Sequence, residues 1–124
     1  MKLVPSILII EDDTWFAEQG IRTLEAAGFR VRHAADGLAG IEAIDSVVPD
    51  VIILDMFLPG PNALVLLHEL QSHTDLSCIP VIICTNSASS VPTASLKAYG
   101  VRQVLDKGSM QPHDLVTAIR RVLS

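Results

Sequence analysis

Glu11, Asp12 and Asp13 stand in a row, Asp55 follows four apolar residues directly, Thr85 ends another apolar run, and Lys107 follows Asp106. Carboxylates, a hydroxyl and an ammonium are the groups that phosphoryl transfer uses, because a nucleophilic oxygen attacks while a hard cation and a lysine neutralise the moving group. Taken singly, each has an ordinary reading. Acids after a strand commonly cap the next helix, and Asp13 fits a cap as well as a site. A threonine at a strand end is at home there for its β-branching, and a lysine beside a glycine is most often a solvated loop charge. Asp55 is harder to explain away, since a carboxylate at a buried edge beside other acids is costly without a partner. Two unit charges about 4 Å apart repel by about 4 kcal/mol at an effective dielectric of about 20, so Glu11, Asp12 and Asp55 together call for a cation. Oxygen-only ligands suggest Mg²⁺, which keeps waters and leaves room for a phosphate.

These residues meet only if the elements carrying them converge. Residues 7–10, 29–34, 51–54, 81–84 and 103–105 read as strands, and three of these runs are continuously apolar, as strands covered on both faces are. Helical spacing separates them: Ala17, Ile21 and Leu24; Leu38, Ile41, Ile44 and Val48; Ala63, Leu66, Leu67 and Leu70; and Leu115, Ile119 and Val122. Residues 91–99 carry the weakest helical pattern. Gly28 and Gly100 fall where a helix end needs positive φ, Asp36-Gly37 opens the second helix, and Pro112 suits the first turn of the last. Five such βα units predict an α/β, doubly wound, three-layer sandwich of flavodoxin-like type, with parallel strand order 2-1-3-4-5. That order collects the residues after strands one, three, four and five at one carboxyl edge, with a crevice between the first and third.

Composition narrows the partners. In 124 residues, Lys+Arg 9 against Asp+Glu 14 gives a formal charge of −5, which leaves no electrostatic footprint for nucleic acid or anionic lipid. Hydrophobic residues at 49% supply a core, which excludes disorder. The apolar runs fall far short of the roughly 20 residues of a membrane helix, and Met1 starts no signal-peptide pattern, so a cytoplasmic chain with no membrane partner is expected. Cys78 and Cys84 offer neither a disulfide framework nor zinc spacing. His33, His68, His73 and His113 show no metal or triad spacing and read as ordinary surface or packing residues. One domain over residues 1–124 is expected, with no output domain among them.

At these residues the chain resembles the receiver domain of bacterial two-component response regulators. The matching stretches are ILIIEDD at 7–13, PDVIILDMFLPG at 49–60, PVIICT at 80–85 and VLDK at 104–107. The resemblance implies that Asp55 accepts a phosphoryl group from a phosphohistidine of a histidine kinase or histidine phosphotransfer protein. It implies that Glu11 and Asp12 hold Mg²⁺ together with Asp55 and the backbone carbonyl of Phe57, Asp12 being the more direct of the acidic pair. Thr85 then hydrogen-bonds the phosphoryl oxygens, Lys107 pairs with them, and a downstream protein of unknown identity reads the result by contact.

Four positions depart from the family's pattern. Asn62-Ala63 stands where Asp-Gly is usual, leaving the entry to the third helix open, and Lys107-Gly108 replaces Lys-Pro, so a trans peptide is expected there. Val104 occupies the place of the switch aromatic, which would shift output coupling to the backbone of residues 85–90 and the helix after it. Phe57 and Ser87 lie two beyond Asp55 and Thr85, where side chains admit or block an attacking water. Two other functions stay in view: a degenerate receiver acting as a phosphorylation-independent interaction module, and an aspartyl phosphohydrolase. The second needs an acid two residues past the nucleophile and meets Phe57 instead, so no enzyme is expected. A dinucleotide module lacks its G-x-G-x-x-G after the first strand.

Overall fold

Buried β-branched runs give the chain its frame. The computed structural model describes residues 4–58, 62–86 and 88–124. Strands β1 (Ser6–Ile10), β2 (Arg30–Ala34), β3 (Val51–Leu54), β4 (Val81–Thr85) and β5 (Val101–Asp106) form one parallel sheet in the order β2-β1-β3-β4-β5. Helices α1 (Thr14–Ala26), α2 (Gly37–Ser46), α3 (Ala63–Gln71), α4 (Thr93–Leu96) and α5 (Pro112–Leu123) supply the crossovers. The predicted class and strand order are the observed ones.

Period-two alternation assigns each central strand to two cores at once. Leu8, Ile10, Ile52, Leu54, Val81 and Ile83 pack with Ile44, Leu66, Leu67 and Leu96 on the face of α2, α3 and α4. Ile7, Ile9, Val51, Ile53, Ile82 and Cys84 pack with Ala17, Leu24, Leu115 and Ile119 on the face of α1 and α5. Because both faces are covered, β1, β3 and β4 had to be apolar over residues 7–10, 51–54 and 81–84, which is why they were readable as strands. Burial also pushes the Cys84 thiol up to about 12, whereas Cys78, in the segment between α3 and β4, is exposed.

The caps follow the sequence closely. The side chains of Asp13, Asp36 and Asn62 accept hydrogen bonds from the backbone N–H of Phe16, Ala39 and Val65, at 3.1, 2.8 and 3.1 Å. Asn62 therefore starts α3 by itself, and the open question about that helix's entry closes on an ordinary N-cap. Gly28 and Gly100 have φ of +95° and +85°, as their positions after helical segments required.

Two elements differ from the sequence reading. The expected helix over 91–99 shrinks to a four-residue α4 flanked by 3-10 turns, Ala88–Ser90 and Lys97–Tyr99. Pro92 occupies its N-cap with no side-chain hydrogen bond. Strand β5 begins two residues early, at Val101, because the register to β4 shifts there: Val81 pairs Val101 but Ile82 pairs Gln103. The extra residue, Arg102, is a bulge on an edge strand, a feature that apolar patterning does not reveal. Pro59, Gly60 and Ser87 lie outside the described residues. Among those described, no helix is long and apolar enough to cross a membrane.

Helix α2 can rest on β1 only because Gly40 has no side chain; a Cβ there would stand 2.8 Å from Ile10 Cδ1 and 3.2 Å from its Cγ1 and Cγ2. Gly40→Ala should lower the unfolding free energy by about 1 kcal/mol, since overpacking outweighs the gain in helix propensity. Urea denaturation checks this, and equal or higher stability of the variant would contradict it.

Candidate functional site

Register brings the acids together. Ile10 pairs with Leu54 across β1 and β3, so the next residues, Glu11 and Asp55, leave the sheet side by side, and the Asp55 N–H donates to the Ile10 carbonyl at 3.1 Å. On the other side Thr85 pairs with Asp106, and the Lys107 N–H donates to the Thr85 carbonyl at 3.0 Å. One open cleft of about 290 Å³ is lined by Glu11, Asp12, Asp13, Asp55, Phe57, Thr85, Asn86 and Lys107. Every site residue expected from the sequence is in that set.

Lys107 sits at its centre. The ammonium lies 2.5 Å from Glu11 Oε1 and 3.4 Å from Asp55 Oδ2, with the lysine side chain only 8% exposed. Glu11 is 2% exposed, Asp55 8% and Thr85 fully buried, so these charges interact with little water between them. Burial, together with the neighbouring Asp55 charge, raises the Glu11 carboxyl to about 7 in spite of Lys107 and the Asp13 N–H, which work the other way. Burial works against the Lys107 ammonium, but its hydrogen bond to Glu11 and the charges of Glu11 and Asp55 prevail and shift it upward.

Glu11 has a second task, as its Oε2 accepts from the Asp13 N–H at 3.1 Å. Asp55 Oδ1 accepts from the Phe57 N–H at 3.2 Å, leaving Oδ2 toward Lys107. Carboxylate oxygens of Glu11, Asp12 and Asp55 all lie within 4.8 Å of one another. Three carboxylates facing one ammonium leave an excess of negative charge, and an all-oxygen donor set suits a hard divalent cation such as Mg²⁺. Asp13 is turned to its capping role. The Phe57 ring is 61% exposed and also borders an adjoining hollow with Met56, Leu58 and Leu64. Val104 is half-buried against the α2–α4 core, and the Lys107–Gly108 peptide is trans, as expected.

Two residues to which the sequence reading gave no site role reach the site. The Lys107 ammonium lies over the Phe16 ring, 4.6 Å from its centroid, so a π-face adds to the support of the cation. His33 is exposed, as expected, but its Nε2 also lies 2.7 Å from the Glu11 carbonyl oxygen. Strand order held the signal for His33, because β2 lies beside β1 and its last residues reach the same edge.

Comparison with known proteins agrees with this geometry. The pattern of the response regulator receiver domain matches residues 7–120. The transcriptional regulatory protein CseB of Streptomyces coelicolor is 33% identical over 120 residues, which is 94% of this chain and 48% of that protein. The DNA-binding dual master transcriptional regulator RpaA of Synechocystis is 34% identical over 119 residues, 96% of this chain and 48% of that protein. The chain spans about half the length of both relatives. Among solved structures, the signal receiver domain of a signal transduction histidine kinase from Syntrophus aciditrophicus matches with a TM-score of 0.82 and 28% identity, over 97% of this chain and 90% of that one. The chemotaxis protein CheY4 of Vibrio cholerae matches with a TM-score of 0.87 over 96% of this chain and 98% of that one; its 24% identity speaks for the fold alone. This chain belongs to the response regulator receiver domain family, the signalling modules of two-component systems.

The raised Glu11 carboxyl has a sign that can be checked in metal-free buffer. The groups facing it are Asp55 from β3, Lys107 after β5, and Asp12 and Asp13 on its own loop, while His33 from β2 meets only its backbone carbonyl. A carboxyl whose folded value, about 7, exceeds its unfolded value, 4.5, favours folding fully below 4.5 and loses that contribution as pH rises through 7. With a chelator present, stability should therefore fall between those two pH values by on the order of 3 kcal/mol, and Glu11→Gln should flatten the decline. Identical pH profiles for the two proteins in chemical denaturation would count against it.

Proposed function

We propose that the chain is a Mg²⁺-dependent phosphoacceptor in two-component or phosphorelay signalling, with Asp55 the residue phosphorylated. Support comes above all from one observation: a lysine ammonium is shared between buried Glu11 and Asp55 in a cleft that also holds Asp12 and Thr85. A carboxylate oxygen of Asp55 attacks the phosphorus of a phosphohistidine on a histidine kinase or histidine phosphotransfer protein. The P–N bond breaks, and the imidazole leaves as the acyl phosphate forms. Lys107 stays beside the phosphoryl oxygens, Thr85 donates its hydroxyl to them, and Phe57 keeps Asp55 oriented through its amide. The carboxylates of Glu11, Asp12 and Asp55 and the carbonyl of Phe57 are the groups that would hold Mg²⁺. Bound there, the ion supplies positive charge against the phosphoryl oxygens.

Phosphorylation adds about −1.5 to −2 charges next to Lys107, which draws Lys107 and Thr85 toward a new anion and biases the segment leading from β4 into α4. With valine at 104, that backbone carries the change to a downstream protein. We place the chain in the cytoplasm, with partners that are proteins rather than nucleic acid or membrane, as its charge of −5 suits. Names of relatives that bind DNA describe proteins about twice as long.

Treated with a small phosphodonor and Mg²⁺, the chain should gain one phosphoryl group by intact-mass measurement, and Asp55→Asn should gain none. Absence of an adduct on the unaltered chain would favour a phosphorylation-independent interaction module. The exposed Phe57 ring at the cleft mouth shields the acyl phosphate from water, so self-dephosphorylation should be slow. Phe57→Asn should shorten the phosphoryl lifetime about tenfold or more in a time course; an unchanged lifetime would remove shielding as the cause.

A further inference from the structure

We infer that His33 is a positioning residue for the metal-binding edge: its Nε2–H holds the Glu11 carbonyl and so fixes where Asp12 stands. The inference rests on the reading of Asp12 as a ligand of a divalent cation. A carbonyl oxygen only accepts, so a 2.7 Å contact requires the proton on His33 Nε2. The β1–β2 ladder ends with the Glu11 N–H donating to the Ala34 carbonyl at 2.9 Å; two residues later Asp36 is already capping α2. The His33 side chain thus supplies a rung that the backbone of β2 has turned away from.

That rung acts at one place. The Glu11 carbonyl and the Asp12 nitrogen share a planar peptide, so fixing the oxygen sets the direction in which the chain enters Asp12. The following peptide is held by the Asp13 N–H on Glu11 Oε2. Among the described residues nothing hydrogen-bonds the Asp12 carboxylate itself, which stands exposed at the cleft. Its placement comes from the two peptides on either side, and one of them depends on His33. Glu11 and Asp55 differ in this respect, since Lys107 grips both directly.

Mg²⁺ titrated calorimetrically into the full chain tests this. The unaltered protein should bind, and Asp12→Asn should lose most of the affinity. His33→Phe, which keeps a ring but no donor, should bind about three- to tenfold more weakly. His33→Gln, whose amide N–H reaches a similar distance, should stay within about twofold of the unaltered protein. A nitrogen–proton NMR spectrum should show the Nε2–H tautomer of His33. If the unaltered chain binds Mg²⁺ while His33→Phe binds it equally well, or His33→Gln fails as His33→Phe does, the positioning role is overturned and the metal site stands. No Mg²⁺ binding by the unaltered chain would overturn the metal reading and this inference with it.

Discussion

Like charges brought together at the end of adjacent strands are the constraint around which this molecule is arranged. Glu11 and Asp55 are neighbours because β1 and β3 are neighbours, and neither can move apart without breaking the central ladder. Lys107, delivered from β5 across the sheet, is the counter-charge that makes the juxtaposition tolerable. It lies against Glu11, reaches Asp55 and rests on the Phe16 ring. The cation is therefore placed by four elements at once: β1, β3, β5 and the first turn of α1. A buried arrangement of this kind contributes little net stability, because desolvation offsets most of the attraction. Its physical effect is to hold an excess of negative charge in a fixed geometry at an open cleft, ready to respond when a further cation or anion arrives.

The sheet makes that geometry rigid. Side chains of the three inner strands are locked between α1 and α5 on one face and α2, α3 and α4 on the other, so the carboxyl edge is held from both sides. Gly40 and the bulge at Arg102 are the adjustments that let this happen, one by close approach of a helix and the other by correcting register before Thr85 and Asp106 come level. On the β4 side the cleft is lined by Thr85 and Asn86. Helix α4 is one turn long with no side-chain cap, and it joins a strand that is otherwise fully buried.

Much of this was legible beforehand because the governing forces are local or periodic. Continuous apolar runs at 7–10, 51–54 and 81–84 admit few structures other than interior parallel strands, and the acids, threonine and lysine follow those strands directly. Asp36 and the two left-handed glycines announced helix ends through backbone chemistry that depends on nothing distant. What escaped notice was tertiary. His33 looks like any strand histidine until β2 is laid beside β1, and Phe16 looks like a core aromatic until Lys107 arrives from 91 residues away to lie on it. Residues 91–99 misled in the other direction: their helical spacing is real, but Pro92 caps without a side-chain hydrogen bond, and Thr93 and Ser95 are weak formers inside a helix that is only one turn long. The early start of β5 was hidden because Arg102 and Gln103 break the apolar pattern that a bulged edge strand does not need.

The two cysteine thiols differ sharply in their access to solvent. Thiolate, not thiol, is the attacking form, and Cys84, sealed in β4, has almost none of it near neutrality, while Cys78 is open to solvent. The segment that carries Cys78 precedes β4, at the amino-terminal edge of the sheet, so it is separated from the acidic cleft by the full length of the strands. The unaltered chain thus already possesses a single exposed thiol where a dye, spin label or surface linker can be attached by maleimide chemistry, on the side of the molecule that faces away from the acidic cleft.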